Sequence, residues 1–396
     1  KTYQLDIPEG FVKDSGDTNY VGTSYTFATQ AAESKLFSWG RNDEGNLGVN
    51  SQTEYSSPVQ IPGLTWSDFP NRSSRTMGTL AKKTDGTLWT WGQNSDGQSG
   101  LNDIIYRSSP TQIGTETTWA GFNRFIRYNS IATKTDGTLW TWGSNQYGML
   151  GLNDVVFRSS PTQVGSDTTW RTTDGSIGGG YRWSSVIKTD GTLWTIGGED
   201  DYGELGLNRT PNHDVSSPCQ IPGTTWSWLG GGEFYGTAVK TDGTLWVWGK
   251  NNDGELGLNS RGVSYSSPVQ VPGTTWSKVS GGEHFTFGIK TDGTAWGWGN
   301  NNDGQLGLNT NTIRYSSPTQ LPGTTWSMIQ PANNMSLGLK TDGTLWTMGR
   351  GGNGGQLGQN NDTSYSSPVQ VGSESGYTSI HSGYSWNIVK QTDQTP

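Results

Sequence analysis

The chain is 396 residues long, with 59 Gly, 20 Trp and a net charge of −8. Sparse Lys and Arg disfavour binding to a phosphate backbone, so no nucleic-acid partner is expected. One cysteine, Cys219, rules out an intrachain disulfide, and no apolar run approaches a membrane span, so no membrane insertion is expected.

In chain order, Lys1–Gly16 stands outside any repeat and is broken by Pro8, Gly10 and Gly16. It reads as an N-terminal arm or tether, and 17–396 reads as one domain. The arm does not read as a secretory signal, and the chain opens without Met, which leaves open whether a leader or a few residues precede Lys1. From Asp17 a unit recurs. Its centre, Lys240–Gly249 (KTDGTLWVWG), returns at Lys83–Gly92, Lys134–Gly143, Lys188–Gly197, Lys290–Gly299 and Lys340–Gly349, and is eroded at Leu36–Gly40. Asp242-Gly243 predicts a type I′ hairpin turn, with positive φ at both residues. The strand after it sets Trp246 and Trp248 against Leu245 and Val247, a stripe that only stacked copies can bury. Ile196 and Met348 replace the second Trp and are expected in the same buried slot.

Each unit holds four strand-like pieces. One lies at Trp276–Val279, two form the hairpin, and one follows Ser-Ser-Pro at Pro268–Val271. A Gly/Asn-rich loop, Asn251–Asn259, joins the last two. The glycines that close the Trp strands step by 50 to 54 residues. Short antiparallel strands at that period predict an all-β fold of four-stranded propeller blades. There are seven Trp-Gly halves but eight copies of the preceding half. A seven-bladed ring therefore has one surplus half, and either Asp17–Gln30 or Tyr377–Asp393 can fill the shared blade.

The scaffold repeats almost verbatim, but one window varies, just before the hairpin's first strand. It supplies Tyr25, then Arg127 and Tyr128, then Tyr181, Arg182 and Trp183. It continues with Glu233 and Phe234, Glu283 and His284, Asn333 and Asn334, and ends at Tyr384. Aromatic, cationic and amide side chains on rigid strands make a candidate surface for a protein or glycan partner. The plainer reading is drift at a solvent-exposed corner, with Trp183 and Phe285 simply core.

No catalytic residue is expected. The histidines His213, His284 and His381 have no metal-ligand spacing, and no nucleophile-elbow, zinc-protease or phosphate-loop string occurs. The long loop Gly198–Cys219 carries Glu199, Asp200, Asp201, Glu204, His213 and Asp214, yet lacks the alternating acids of a Ca²⁺ loop. No metal and no cofactor is therefore expected. Carboxylates meeting across a central channel are the open route to an enzyme.

The strings WGNNNDGQLGLN at Trp298–Asn309 and WGKNNDGELGLN at Trp248–Asn259 resemble the regulator-of-chromosome-condensation repeat. The family fold is a seven-bladed β-propeller, and the resemblance runs from Asp17 onward. The wording KTDGTLW…SSPTQ…GTTW is similar to the version common in marine phage and bacterial proteins. That resemblance implies a non-enzymatic recognition or structural propeller on a phage virion or outside the cell. It would serve as a tail-fibre, attachment or decoration protein that binds a host glycan or protein surface. The arm would then dock other virion proteins. The alternative is a cytoplasmic regulatory propeller that binds a GTPase or another intracellular partner. A basic chromatin arm is expected of that type, whereas Lys1–Gly16 carries two Lys against three acids.

Overall fold

The computed structural model of the protein describes residues 2–7, 23–28, 33–69, 77–124, 129–198, 200–209, 214–352 and 354–392. For 2–7, 23–28 and Arg124 it describes the backbone alone.

The hairpin turn differs from the expectation. Gly243 sits at φ +78, but Asp242 lies outside the left-handed region. Gly243 N donates to Lys240 O at 3.0 Å, and Lys240 N donates to Thr244 O at 2.9 Å. This is a three-residue loop, a type I turn closed by a left-handed glycine, and not type I′. The cause is the Asp242 side chain. Its Oδ1 accepts Thr244 N at 2.9 Å and Thr244 Oγ1 at 2.7 Å, an Asx turn that sets the backbone. Thr244 Oγ1 in turn accepts Trp246 Nε1 at 2.9 Å. Lys240 Nζ then lies 4.4 Å from the Trp246 ring centre and 4.7 Å from that of Trp226. The same Asp–Thr contact returns at Asp85, Asp136, Asp190, Asp292 and Asp342.

Seven four-stranded antiparallel sheets form the blades of an all-β propeller. In blade five the strands are Trp226–Gly231, Tyr235–Lys240, Leu245–Gly249 and Tyr265–Gln270. The first strands of neighbouring blades pack against one another around the centre. Blade one is shared between the chain ends. Tyr377–Ser382 and Trp386–Thr392 supply its first two strands, and Ser34–Gly40 and Tyr55–Ile61 its last two. The register from Ser34↔Thr392 to Gly40↔Trp386 closes the ring. The C-terminal half-repeat thus takes the shared slot. Thr23–Ala28 pairs instead with Thr2–Ile7 in a separate two-stranded sheet, which links part of the arm to the segment after Asp17.

Adjacent blades are latched by the repeat's own wording. Trp248 is buried, and its Nε1 donates to Glu204 O of the preceding blade at 2.8 Å. Trp298 does the same to Glu255 O at 2.8 Å. A Cβ on Gly257 would fall 2.9 Å from Trp298 Nε1, so the Gly-x-Leu-Gly string must end in glycine. Ile196 and Met348 occupy the same buried slot, as expected. Trp246 is only half-buried under Lys240, so the two-Trp stripe is sealed at one end alone. Asn251 staples the loop between third and fourth strands: its Oδ1 accepts Leu256 N at 3.2 Å and its Nδ2 donates to Ser260 O at 3.1 Å. In blade four Asp200 stands in that place and accepts Leu205 N at 3.0 Å. That carboxylate is turn chemistry.

Candidate partner-binding face

The variable window caps the turn between the first and second strands of each blade. The third-to-fourth loop starts beside it: Lys250 N donates to Phe234 O, Asn300 N to His284 O and Arg41 N to Ser385 O, each at 2.9 Å. Window and loop therefore share one end of the ring, and the Asp-Gly turns lie at the other.

Blades three to five build a continuous ladder there. The Arg182 guanidinium sits between two rings, 4.4 Å from the centre of Tyr147 and 4.6 Å from that of Tyr181. Tyr181 meets Phe234 at 5.6 Å, and Phe234 meets Tyr202 at 5.7 Å. Lys250 Nζ lies 5.1 Å from the Phe234 ring centre and 5.4 Å from that of Tyr202. All six side chains are half-buried. Each cation over an aromatic face contributes about 0.5–1 kcal/mol at such exposure, so the ladder is ordered before any partner arrives.

Blades five and six add a polar cluster. Glu233, Glu283 and His284 can bring one ligand atom each within 4.8 Å of one another. Glu233 is buried, and His284 Nε2 lies 3.4 Å from Glu283 Oε1. His284 Nδ1 is 3.8 Å from Asp253 Oδ2, and Asp253 Oδ1 takes Arg314 Nε at 2.9 Å. Burial pulls the His284 imidazolium down, but Glu283 and Asp253 outweigh it and raise its pKa. These residues could hold a metal only by giving up that proton, since a ligating imidazole is neutral. As it stands the cluster is an ion-pair network.

The other window residues are placed as follows. Trp183 is 1% exposed, so it packs in the core and cannot touch a partner. Phe285 and Tyr235 are sealed in the same way. Tyr384 lies beneath Arg41, 6.0 Å from ring centre to guanidinium. Asn333 and Asn334 are half-buried, and Asn334 O accepts Arg350 N at 2.9 Å. Arg127 and Tyr128 lie outside the described residues, as does the Tyr25 side chain, whose backbone pairs with Leu5 outside the seven blades. Sequence reading missed Tyr147, Tyr202 and Lys250. The signal was present: Tyr147 and Tyr202 stand where the repeat has the Asp of Asn-Asn-Asp-Gly.

Two carboxylates do meet near the ring's centre. Asp68 and Asp174 line a cavity of about 90 Å³ with Lys82 and Asn123. Burial raises the Asp68 pKa, and the Asp174 charge adds to it. Lys82 Nζ donates to Ala120 O at 2.9 Å. No His or Cys is among the described residues that line this cavity.

The family model of the regulator of chromosome condensation (RCC1) repeat matches residues 33–69, 85–125, 136–181, 242–289, 292–330 and 342–389. The chain belongs to that family. The RCC1 propeller of yeast, Prp20, solved with Kap60, superposes with a TM-score of 0.79 at 16% identity, covering 92% of this chain and 90% of that one. Human WBSCR16 superposes at 0.78 and 18% identity, covering 92% of this chain and 100% of that one. In sequence, the ultraviolet-B receptor UVR8 of Arabidopsis thaliana is 28% identical over 246 residues, 60% of this chain and 54% of the receptor. The ubiquitin ligase HERC2 of Homo sapiens is 26% identical over 61% of this chain, which is 5% of that protein. The chain thus spans about half of the plant relative and a small part of the ligase.

Proposed function

We propose that this RCC1-repeat propeller is a non-catalytic binding protein that recognises a protein partner through the aromatic–cationic ladder. The observation that carries the reading is Arg182 held between Tyr147 and Tyr181. Arg, Tyr and Phe fixed on rigid strands are the side chains that dominate protein interfaces, and they lose little entropy on binding. The yeast propeller of the same fold is described bound to Kap60, and as binding Gsp1p and histones, which supports a protein as the partner class. A virion or extracellular setting, with a host protein or glycan as the target, is the narrower form of this reading and rests on the wording of the repeat. A cytoplasmic regulatory partner is its counterpart.

The test immobilises the chain and compares capture from host and source lysates, and on a glycan array, with a Tyr181→Ala/Arg182→Ala/Phe234→Ala variant. The expected result is one protein captured by the wild type and lost by the variant, which keeps the β-sheet circular dichroism of the folded propeller. Equal capture by both, or binding to glycans alone, overturns the reading.

A further inference from the structure

Two loops in neighbouring blades carry the same uncommon string. Blade two has Asp103-Ile104-Ile105-Tyr106-Arg107, and blade three has Asp154-Val155-Val156-Phe157-Arg158. The corresponding place is polar at Gln52-Thr53-Glu54 and Asp362-Thr363-Ser364, and holds a lone aliphatic at Val263 and Ile313. Single exposed aliphatics are ordinary on a soluble surface, but two adjacent triads are not. Ile104, Ile105 and Tyr106 are 65%, 61% and 41% exposed, and Val155, Val156 and Phe157 are 62%, 57% and 52% exposed.

Both loops are rigid. Arg107 Nη2 pairs with Asp103 Oδ2 at 2.6 Å, and Arg107 Nη1 donates to Ile105 O at 2.8 Å. Ile105 N donates to Asp103 Oδ1 at 3.0 Å. Blade three repeats these contacts through Arg158, Asp154 and Val156 at 2.6, 2.8 and 3.0 Å. The Asp and Arg charges therefore cancel inside each loop. The loops also adjoin: Asn102 N, just before the first string, donates to Ser159 O, just after the second, at 2.8 Å. Together they form one preorganised, neutral, apolar patch on the order of 500 Å², against the several hundred Å² of the largest patch on a typical monomer.

We propose that this patch is the interface of a homodimer. A two-fold contact requires a surface that faces itself, so that residue i meets j and j meets i. Twin loops meet that requirement: the Ile104–Tyr106 triad of one protomer packs on the Val155–Phe157 triad of its partner, and reciprocally. Two such patches bury about 1,000 Å² in total, the lower limit for a specific contact, so the dimer is weak and concentration-dependent. The charge of −8 does not oppose it at the contact, because each loop is neutral.

The test is sedimentation equilibrium of the full chain over a dilution series, against Ile105→Asp/Val156→Asp and the gentler Ile105→Ser/Val156→Ser. The wild type is expected to shift from single to doubled mass with concentration. Both variants should stay monomeric at an unchanged melting temperature. In a Cys219→Ser background, Ile105→Cys mixed with Val156→Cys should form disulfide-linked pairs, and neither alone should do so efficiently. A wild type that stays monomeric at every concentration, or variants that dimerise equally, overturns the proposal. So does a monomeric wild type that floats with phosphatidylcholine vesicles while the variants do not, because the occupant is then a lipid surface.

Discussion

Glu204 makes the protein's stability depend on pH, and Glu204→Gln should remove the larger share of that dependence. Its slot belongs to glutamine in other blades, where Gln98 Oε1 accepts Asp96 N at 2.8 Å and Gln305 Oε1 accepts Asp303 N at 2.9 Å. Glu204 Oε2 accepts Tyr202 N at 2.9 Å in the same manner. The carboxyl is 2% exposed, and burial, reinforced by Asp200 and Asp201, pushes its pKa from 4.5 up to about 8. The folded state thus holds the proton more tightly than the unfolded chain does. Its contribution to stability is fully present below about pH 4.5 and is lost as pH rises through about 8. At roughly 1.4 kcal/mol per pKa unit, the loss at alkaline pH is on the order of 3–5 kcal/mol. Urea unfolding of wild type and variant from about pH 5 to about pH 9 measures it. The two should agree at the acid end, and the variant should be the more stable at the alkaline end. Parallel profiles would refute the reasoning. Glu255, pushed up to about 7 by burial and Asp253, should behave in the same way with a smaller amplitude.

Further outcomes follow from the latch and the turn. Trp248→Ala should cost roughly 3–5 kcal/mol in chemical denaturation, because it empties a buried slot and leaves Glu204 O without its donor. Gly243→Val should lower the melting point through a strain of roughly 1–3 kcal/mol, since φ is +78 there and a Cβ would lie 3.1 Å from Thr275 N. Asp242→Ala should weaken the same hairpin by releasing Thr244, read as faster amide exchange at Thr244 and Leu245.

The blade count and the inter-blade packing were legible because the repeat states them many times over. Ile196 and Met348 fell into the expected slot because a periodic strand offers the side chain one place to go. The turn type departs from the Asp-Gly expectation because that pair signals through backbone freedom alone, and here a side chain intervenes. The Asp242 side chain bonds Thr244 and keeps its own φ outside the left-handed region. Ring closure could not be read, since Asp17–Gln30 and Tyr377–Asp393 carry nearly the same pattern and only three-dimensional pairing chooses between them. The variable window was visible as variation, but its grouping was not. Arg182 and Phe234 belong with Tyr147 and Tyr202, which come from loops far off in sequence and meet only when blades stand side by side. Trp183 looked like a contact residue by composition, yet it faces the core because the window straddles the start of a strand.

Recognition through the ladder is tested most directly by titrating the captured partner against wild type and the Tyr181→Ala/Arg182→Ala/Phe234→Ala variant by calorimetry. A hot-spot cluster predicts a loss of affinity of about a hundredfold or more in a variant that remains folded at the assay temperature. Dissociation constants that agree within about threefold would contradict it and move the binding surface elsewhere on the ring.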